Sequence, residues 1–484
     1  MKTEQLKFDN LIDGRLTPPQ DARWFPVFEP AVGKAYALAA DSTENDVNAA
    51  VAAAQRAFPA WAATPAAQRA RTLERLAGLI EDTLPAFAAA ESRNCGKPVA
   101  LAERMDIPRA IANLRFFAAA ATQFSSESHA MESQGVNFTL RQPLGPVACI
   151  SPWNLPLYLL TWKIAPALAA GNTVVAKPSE VTPHTAWLLS RLAIDAGLPP
   201  GVLNIVHGTG AGAGAPLVAH PGIKAVSFTG STRTGAAIAA VVAPKFKKLS
   251  LELGGKNPFI VFADADFDVA LETALRAAFT NQGQICLCGS RILIQRPIYA
   301  RFRDAFVAGA QRLIAADPAL ATTDFGALVS LAHRDKVLAC IALAREEGGR
   351  VLTGGESAHV DGRCADGWFV QPTVIEGLTA TCRTNSEEIF GPVASLLPFD
   401  DIDGALAIAN GVPYGLAASV FTRDLATAHR MAAQLECGVV WINCWMLRDL
   451  RTPFGGMKDS GVGREGGFEA MRFFTEARNV CVAW

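Results

Sequence analysis

The chain has 484 residues, with 44 lysines and arginines against 45 aspartates and glutamates, and its formal net charge is −1 at pH 7. Half of the residues are hydrophobic and only 18% are charged, so the chain can bury a large core and is not typical of a disordered protein. This near-neutral balance provides no overall field for nucleic acid or an anionic membrane, and neither partner is expected. At roughly 150 residues per domain, the length predicts about three domain-sized units.

The cysteines and the amino terminus indicate the compartment. Ten cysteines are spread from Cys95 to Cys481, a usage typical of a reducing compartment, so a cytoplasmic location is expected. No C-x-x-C or H-E-x-x-H motif occurs, and no metal site is expected. The charged start, Met1 to Asp9, is not typical of a secretory signal peptide. The most apolar stretch, Leu155 to Val175, contains Lys163 and is predicted to form a buried helix and strand instead of a membrane span.

Three helices are predicted in the first quarter of the chain. The first begins near Thr43, with Ser42 or Thr43 as its N-cap, the second ends before Gly96, and the third covers about Ile107 to Phe124. The apolar residues with helical spacing are Val47, Val51, Ala54 and Phe58 in the first, Leu73, Leu76, Leu79 and Ile80 in the second, and Ile107, Ile111, Leu114 and Phe117 in the third.

Short apolar runs alternate with helical stretches over the rest of the chain. This alternation predicts parallel strands joined by helices, which is an α/β fold. Two α/β lobes are expected, and they meet near Leu253 to Lys256. The predicted strands are Val147–Ile150, Thr173–Ala176, Asn204–Val206, Ala225–Phe228, Phe259–Phe262, Arg291–Ile294, Ala394–Pro398, Ala418–Phe421 and Val439–Ile442.

Three short segments carry residue types that suit covalent catalysis. Cys286 follows a glycine-containing turn that starts after Phe279. Glu252 lies at a strand end that two glycines terminate, and Asn154 lies between two prolines that stiffen the backbone. Alone, each has an ordinary structural interpretation, because a single cysteine is most often a small buried hydrophobe.

Taken together with four further motifs, these segments resemble the aldehyde dehydrogenase superfamily in order and spacing. The resemblance extends from about Phe8 to about Val482. It implies the aldehyde dehydrogenase fold, with a Rossmann-like NAD-binding domain, an α/β catalytic domain and a small β segment for oligomerisation. The four motifs are Thr173 to Glu180, Phe228 to Gly235, Glu387 to Pro392 and Pro453 to Gly456.

The resemblance also implies domain boundaries and an oligomer. The NAD-binding domain is expected to comprise residues 1–124 and 144–253, and the catalytic domain residues 254–455. Residues 125–143 and 472–484 are expected to form the oligomerisation segment. A homodimer or a homotetramer is expected.

The superfamily's catalytic roles are carried over to three residues. Cys286 attacks the aldehyde as a thiolate and gives a thiohemiacetal. The Asn154 side-chain amide and the Cys286 backbone N–H form the oxyanion hole. Loss of hydride to the nicotinamide leaves a thioester, and Glu252 is the general base for the water that hydrolyses it.

NAD is the cofactor that the resemblance implies. A carboxylate at the adenosine ribose favours NAD over NADP, because it repels a 2′-phosphate. The implied contacts are Lys177 and Glu180 with the adenosine ribose, Trp153 and Ser231 with the pyrophosphate at the Gly230/Gly235 helix start, and Glu388 with the nicotinamide ribose, beside Phe390.

Two arginines indicate the kind of aldehyde. Arg109 lies 45 positions before Asn154, outside the apolar row of its helix, and Arg448 lies five positions before Pro453. In the superfamily both positions commonly hold apolar or aromatic residues that line the substrate tunnel. Two guanidiniums in one tunnel are costly without an anion, so a substrate with a carboxylate is expected. The alternative is that each arginine is a solvated rim residue or a salt-bridge partner.

Four longer motifs resemble the 2-aminomuconic and 2-hydroxymuconic semialdehyde dehydrogenase branch. Members of that branch oxidise unsaturated, carboxylate-bearing semialdehydes formed by ring cleavage in tryptophan/kynurenine or aromatic catabolism. Tyr158 and Trp162, inside the first motif, are expected to contact the substrate. The motifs are Ser151 to Lys163, Asn281 to Cys288, Asp106 to Arg109 and Asn443 to Trp445.

Three alternatives remain open. The first is a broad-range or betaine-type aldehyde dehydrogenase in which the arginines are incidental. The second is a CoA-acylating dehydrogenase, which the presence of Glu252 disfavours. The third is a non-enzymatic, crystallin-like structural protein, which is disfavoured because Cys286, Glu252 and Asn154 are all present.

Overall fold

The computed structural model describes residues 6–484, which form a mixed α/β structure with two large sheets. Within this range no helix is long and apolar enough to cross a membrane.

The first large sheet has eight strands. Its five central strands are parallel, and the pairs at both edges are antiparallel. The four strands predicted here are confirmed, with ends that differ by one or two residues. In spatial order the strands are Gly461–Val462, Lys248–Glu252, Ala225–Thr229, Pro146–Ile150, Thr173–Lys177, Leu203–Ile205, Asn10–Ile12 and Arg15–Thr17.

The second large sheet has seven strands and is parallel except at one edge. Its five predicted strands are confirmed, and it has two further strands, Arg350–Thr353 and Thr373–Glu376, that were not predicted. In spatial order the strands are Arg350–Thr353, Thr373–Glu376, Val393–Phe399, Gly289–Gln295, Asn257–Val261, Ala417–Phe421 and Val439–Ile442.

Three small sheets complete the strands. Thr475–Ala483 pairs over its whole length with Gly135–Pro143, which also pairs with Ser128–Met131. This three-stranded sheet joins most of the two segments that the sequence assigns to oligomerisation. The other small sheets are Leu6–Phe8, Lys34–Ala40 and Trp24–Glu29, and the pair Tyr414–Gly415 and Met457–Lys458.

One helix prediction is wrong. The second predicted helix is two helices, Ala66–Asp82 and Leu84–Cys95. Thr83 between them leaves the helical conformation with φ −114° and ψ 17°, and its Oγ1 donates back to the Leu79 carbonyl at 2.7 Å. Pro85 has no N–H for a continuing helix but suits the first turn of a new one.

The other two predicted helices are confirmed: the first begins after Thr43, and the third ends one residue before Phe124. Thr43 is the N-cap of the first helix, and its N–H donates to Asp46 at 3.0 Å. Besides Ala66–Asp82 and Leu84–Cys95, the α-helices are Glu44–Ala63, Val99–Leu101, Ile107–Gln123, Pro156–Ala169, His184–Asp195, Ala215–Ala219, Thr232–Val242, Phe267–Phe279, Tyr299–Gln311, Leu331–Glu346, Arg383–Ser386, Ile402–Asn410, Leu425–Gln434 and Gly467–Phe473. The π-helical turns are Ala102–Asp106 and Gly210–Gly214, and the 3-10 turns are Ala243–Lys245, Thr280–Gly283, Arg296–Ile298 and Gly362–Cys364.

The link between the two large sheets positions the site. Glu252 is the last residue of a strand in the eight-stranded sheet, and Asn257 is the first residue of a strand in the seven-stranded sheet. The helix Pro156–Ala169 packs against the first sheet and is buried almost throughout, as its apolar sequence predicts. The residues between Glu252 and Asn257 therefore lie where the two sheets approach each other.

Candidate active site

Cys286 follows a backbone turn that only special residues can form. Asn281, Gln282 and Gly283 all have positive φ, at 52°, 56° and 70°. A Cβ on Gly283 would lie 2.1 Å from the Gly391 carbonyl oxygen, so a larger residue does not fit there. Asn257 donates to the Cys286 carbonyl at 2.7 Å and holds the cysteine beside the link between the sheets.

A cavity of about 210 Å³ opens at Cys286. The structure brings together around it the predicted nucleophile, the predicted oxyanion donor and most of the predicted cofactor residues. The predicted site residues that line the cavity are Trp153, Asn154, Gly230, Ser231, Cys286, Glu388 and Phe390.

Asn154 is buried, and its side-chain amide is oriented by one hydrogen bond. Its Nδ2 donates to the Gln284 carbonyl at 2.9 Å. Because a side-chain amide has two N–H groups, one remains for a second acceptor. Asn154 and Cys286 line the same cavity. The second N–H can therefore bind the oxygen of a substrate whose carbonyl carbon is bonded to the Cys286 sulfur.

Glu252 is buried, and neither of its carboxylate oxygens has a hydrogen-bond partner among the described residues. Burial raises the pKa of Glu252 well above its usual value, and the nearby charge of Glu465 raises it further. Lys163 and Arg464 act in the opposite direction. A carboxyl group with a raised pKa and free oxygens is suited to general base catalysis near neutral pH.

A buried ion pair adjoins Glu252 and was missed by the sequence analysis. Lys163 Nζ lies 2.6 Å from Glu465 Oε1 and donates to Ser227 Oγ at 3.1 Å. Lys163 is the one charged residue in the apolar segment Pro156–Ala169, and this was the only signal of a special role. Its partner lies 302 residues away in sequence. The pair places two opposite charges close enough to influence the pKa of Glu252.

The surroundings of Cys286 disfavour its thiolate form. Burial raises the pKa of Cys286, and the negative charges of Glu388 and Glu252 raise it further. Arg448 lowers it by a smaller amount. The thiol therefore requires a positive charge or a base in the assembled site before it becomes a thiolate.

The predicted nicotinamide side of the cavity is formed by Glu388 and an aromatic group. Glu388 accepts a hydrogen bond from the Gly255 N–H at 3.0 Å. Phe390 has φ +61° and lies edge-to-face against Trp153, with ring centroids 5.1 Å apart. His333 Nε2 donates to the Phe390 carbonyl at 2.7 Å. These contacts hold Phe390 at the wall of the cavity.

His333 and Lys336 also line the cavity, and sequence reasoning missed both. A single histidine outside any motif gives no signal of its position. The His333 ring lies 5.0 Å from the Trp153 ring, and burial lowers the pKa of His333 to about 4. The imidazole is therefore neutral near pH 7, and its hydrogen bond to Phe390 fixes which nitrogen carries the proton.

The predicted pyrophosphate contact lies at a helix start. Ser231 is the N-cap of Thr232–Val242, and its Oγ accepts from the Thr234 N–H at 3.3 Å. A Cβ on Gly235 would lie 2.6 Å from Leu253, so glycine permits close packing of this helix. The first N–H groups of a helix favour an anion, which suits a pyrophosphate beside Ser231.

Lys177 ends the strand Thr173–Lys177, which is separated by one strand from the strand that precedes this helix, and Glu180 follows it. Lys177 Nζ lies 3.1 Å from Glu180 Oε2 and also donates to the Pro178 carbonyl at 3.0 Å. The Lys177 carbonyl accepts from the Ser151 N–H at 3.2 Å, which ties this strand end to the segment that carries Trp153 and Asn154.

The four predicted substrate residues form one cluster. Arg448 Nη1 donates to the Tyr158 hydroxyl at 2.7 Å, and the guanidinium lies 5.5 Å from the Trp162 ring and 4.0 Å from the Phe454 ring. Arg109 lies 5.7 Å from the Tyr158 ring. Its Nε and Nη2 atoms are buried and have no hydrogen-bond partner among the described residues.

The described residues contain no group of three or more histidine, cysteine, aspartate or glutamate side chains that could hold a metal ion. All ten cysteines are free.

The comparisons with known proteins agree with this geometry. The sequence profile described as "Aldehyde dehydrogenase family" matches residues 16–480. The chain is 48% identical over 480 residues to the 2-aminomuconic semialdehyde dehydrogenase of Danio rerio, covering 99% of this chain and 98% of that protein. It is 45% identical over 479 residues to the 2-hydroxymuconic semialdehyde dehydrogenase of Pseudomonas sp. (strain CF600), covering 98% and 99%.

Solved structures show the same fold. The NAD+ complex of aldehyde dehydrogenase from Bacillus cereus is 38% identical and superposes with a TM-score of 0.96, covering 99% of this chain and 96% of that chain. The chain belongs to the aldehyde dehydrogenase family. The predicted superfamily and fold class are confirmed, and the protein is an aldehyde dehydrogenase.

Proposed function

We propose that this protein oxidises a carboxylate-bearing semialdehyde to the dicarboxylic acid, with NAD as the hydride acceptor. The candidate substrates are 2-aminomuconic 6-semialdehyde and 2-hydroxymuconic semialdehyde. The observation that carries the proposal is the Arg109 guanidinium beside the Arg448–Tyr158 pair. It is partly buried, and two of its nitrogens have no hydrogen-bond partner within residues 6–484. Relatives named for these two activities are 42–48% identical to the chain over nearly its whole length.

The arginine cluster supports an anionic ligand on energetic grounds. A buried guanidinium donor without a partner is costly, and two cations near one tyrosine repel each other. A carboxylate accepts from both guanidiniums through planar, charge-assisted hydrogen bonds and removes both costs. Neutral aldehydes provide no such acceptor. The cluster therefore favours a semialdehyde with an acid group over a broad-range or betaine-type substrate.

The residues of the cavity fit NAD. A Cβ on Gly254 would lie 2.4 Å from the Glu388 carboxylate, so the glycine leaves room for Glu388 to reach a ribose hydroxyl. Ser231 provides a helix start for the pyrophosphate, and Lys177 with Glu180 provides polar groups for the second ribose. When bound, NAD supplies the nicotinamide that accepts a hydride.

Cys286 and Asn154 carry the first half of the reaction. The Cys286 thiol first releases its proton to solvent. The thiolate then forms a C–S bond to the aldehyde carbon, and the electron pair of the C=O bond moves to oxygen. The free N–H of Asn154 Nδ2 and the Cys286 backbone N–H stabilise this oxyanion. The oxyanion's electrons re-form C=O as hydride leaves the carbon, and a thioester remains on Cys286.

Glu252 carries the second half. It accepts a proton from water, and the resulting hydroxide adds to the thioester carbon. The C–S bond then breaks and releases the carboxylic acid and the thiolate. The overall reaction converts the aldehyde, water and NAD⁺ into the carboxylic acid, NADH and a proton.

The assembly and location of the protein are also proposed. We infer a homodimer or homotetramer formed through the three-stranded sheet of Ser128–Met131, Gly135–Pro143 and Thr475–Ala483. Leu140 and Val482 of this sheet and Trp484 directly after it are exposed, by 42%, 45% and 73%. Exposed apolar side chains at one place support an interface with a second copy of the chain. Ten free cysteines support a cytoplasmic location. Light scattering of the full chain and of a chain that ends at residue 478 tests the oligomer.

The substrate proposal is tested by steady-state NADH formation. We expect kcat/KM for 2-hydroxymuconic semialdehyde to exceed kcat/KM for propanal and for betaine aldehyde by about 100-fold or more, the value of one or two charge-assisted hydrogen bonds. Equal efficiencies with all three aldehydes would contradict the acidic substrate while leaving the aldehyde dehydrogenase activity intact.

A further inference from the structure

The backbone carbonyl of Asn154 accepts hydrogen bonds from two buried side chains. Lys97 Nζ donates to it at 2.9 Å, and Asn281 Nδ2 donates at 3.2 Å. All three residues are 3% exposed or less. A carbonyl oxygen with both lone pairs occupied cannot rotate its peptide plane without breaking two buried hydrogen bonds.

Lys97 is fixed by groups other than Asn154. It follows Gly96, whose φ of +79° ends the helix Leu84–Cys95. Its ammonium forms a short ion pair with Asp106 and lies 3.5 Å from Glu91. Two N–H groups of the ammonium therefore donate to Asp106 and to the Asn154 carbonyl, and Glu91 lies nearby without a hydrogen bond to it.

One buried lysine here faces two carboxyl groups. Burial raises the pKa of Glu91, which favours its uncharged form. Asp106, which is ion-paired with the Lys97 ammonium, is the direct counter-charge of Lys97. A buried lysine that is fully paired in this way can serve as a rigid hydrogen-bond donor.

Asn281 connects both ends of Asn154. Its Nδ2 donates to the Asn154 carbonyl and to the Gln284 carbonyl, the latter at 3.1 Å. The Gln284 carbonyl also accepts from the Asn154 side-chain amide at 2.9 Å. One asparagine thus contacts the backbone of Asn154 and the acceptor that orients its side chain.

We propose that Lys97 and Asn281 are positioning residues for the oxyanion hole, because together they fix the backbone of Asn154 and the direction of its free amide N–H. This inference rests on the proposed role of Asn154 as an oxyanion donor. Such a donor stabilises the transition state only if it is already within hydrogen-bond distance of the developing charge. Thiohemiacetal formation and thioester hydrolysis both place an oxyanion there, so both steps depend on the two donors.

The test removes the Asn281 donor and uses its neighbour as control. Asn281→Gly deletes the amide, and glycine keeps the positive φ of 52° without strain. Gln282→Gly is the matched control, since Gln282 also has positive φ and its side chain has no hydrogen-bond partner among residues 6–484. We expect Asn281→Gly to lower the single-turnover rate of NADH formation roughly tenfold, below the 100–1,000-fold loss when an oxyanion donor itself is removed. Gln282→Gly should change it less than about threefold.

A second pair of substitutions removes the Lys97 donor without unbalancing the charges. Lys97→Met combined with Asp106→Asn deletes the ammonium and its counter-charge together, and Asp106→Asn alone is its control. We expect the double variant to lower the same rate by at least about tenfold, with KM for the aldehyde within about twofold of the parent. Alkylation of Cys286 by iodoacetamide forms no oxyanion, so its rate should stay within about twofold in every variant.

Asn154→Ala separates this inference from the proposed function. If Asn154→Ala leaves the single-turnover rate unchanged, the oxyanion role of Asn154 and this inference both fail. If it lowers the rate but Asn281→Gly and the Lys97 double variant do not, only this inference fails. The expected result is strong non-additivity: in the Asn154→Ala background, Asn281→Gly lowers the rate by less than about twofold. Equal losses in both backgrounds, or a parallel loss of iodoacetamide reactivity, would overturn the positioning role.

Discussion

Arg448 and Tyr158 are joined by a hydrogen bond of 2.7 Å from the guanidinium Nη1 to the phenolic oxygen. The residues are 290 positions apart in sequence. The same tyrosine ring lies 5.7 Å from the Arg109 guanidinium. Tyr158 thus contacts one arginine through its hydroxyl and the other through its ring, and it keeps both cations in one cluster.

The first prediction concerns the arginines. Arg109→Ala and Arg448→Ala should each raise KM for 2-hydroxymuconic semialdehyde by roughly 10–100-fold, because each loses a charge-assisted hydrogen bond of about 1.5–3 kcal/mol to the substrate carboxylate. KM for propanal should change little. Arg104→Ala is the control. Arg104 is an exposed arginine five positions before Arg109, and its guanidinium donates to the Ala100 carbonyl of its own helical segment. An unchanged KM for the anionic substrate in both variants would contradict the specificity argument.

The second prediction isolates the tyrosine hydroxyl. Tyr158→Phe keeps the ring beside Arg109 and removes the acceptor for Arg448. The loss of one hydrogen bond to a charged group should raise KM for the anionic semialdehyde by roughly 5–50-fold and leave kcat for propanal nearly unchanged. A comparable loss with both aldehydes would indicate that Tyr158 supports the fold of the site instead of Arg448.

The placement of candidate residues that lie inside a short motif could be predicted from the sequence. Cys286 and Glu252 each lie beside glycines that shape the local backbone, and Asn154 lies between prolines, so the motif itself reports the position. The order of strands and helices was also predictable, because burial imposes apolar runs on consecutive residues. The break at Thr83 was missed because apolar spacing continues through Leu84 and Phe87 into the next helix.

Contacts between distant segments were not predictable in the same way. Lys97 meets Asn154 across 57 positions, and Lys163 meets Glu465 across 302. Each lysine alone has no motif around it that names its partner. Only the packing of the helices against the eight-stranded sheet brings these charges together, and single-sequence patterns do not encode that packing.

The third prediction separates the two chemical steps. Glu252→Gln keeps the shape of the side chain but cannot accept a proton from water. Hydride loss can still occur, so we expect a burst of about one NADH per active site followed by turnover slower by at least about 100-fold. Mass spectrometry of the quenched protein should find the acyl group on Cys286. A full-rate steady state in Glu252→Gln would assign the base to another residue.

The fourth prediction concerns cofactor choice. Glu180→Ala removes the carboxylate that pairs with Lys177 at 3.1 Å, and it leaves that lysine free to contact a 2′-phosphate. The ratio of kcat/KM for NAD to kcat/KM for NADP should fall by roughly tenfold or more. The variant no longer repels the 2′-phosphate of NADP, and Lys177 can form a charge-assisted hydrogen bond to it. Glu387→Ala is the control, because Glu387 pairs with Arg383 at the surface. An unchanged ratio would show that Glu180 does not contact the ribose.

The fifth prediction is a pH dependence set by Glu252. Its pKa is raised by burial and then by the charge of Glu465, so the carboxylate form appears only above the usual range of a glutamate. Turnover should therefore fall as the pH is lowered through that raised pKa, on an acid limb above the ordinary pKa of 4.5.

Glu465→Gln removes the repelling charge and leaves Lys163 uncompensated, and both changes favour the Glu252 carboxylate. The acid limb of kcat should then move to lower pH, and the rate of thioester hydrolysis measured in single turnover should move with it. Glu469→Gln, an exposed carboxyl paired with Arg472, should leave the limb in place. A limb that does not move in Glu465→Gln, or that moves equally in both variants, would show that Glu465 does not control the general base.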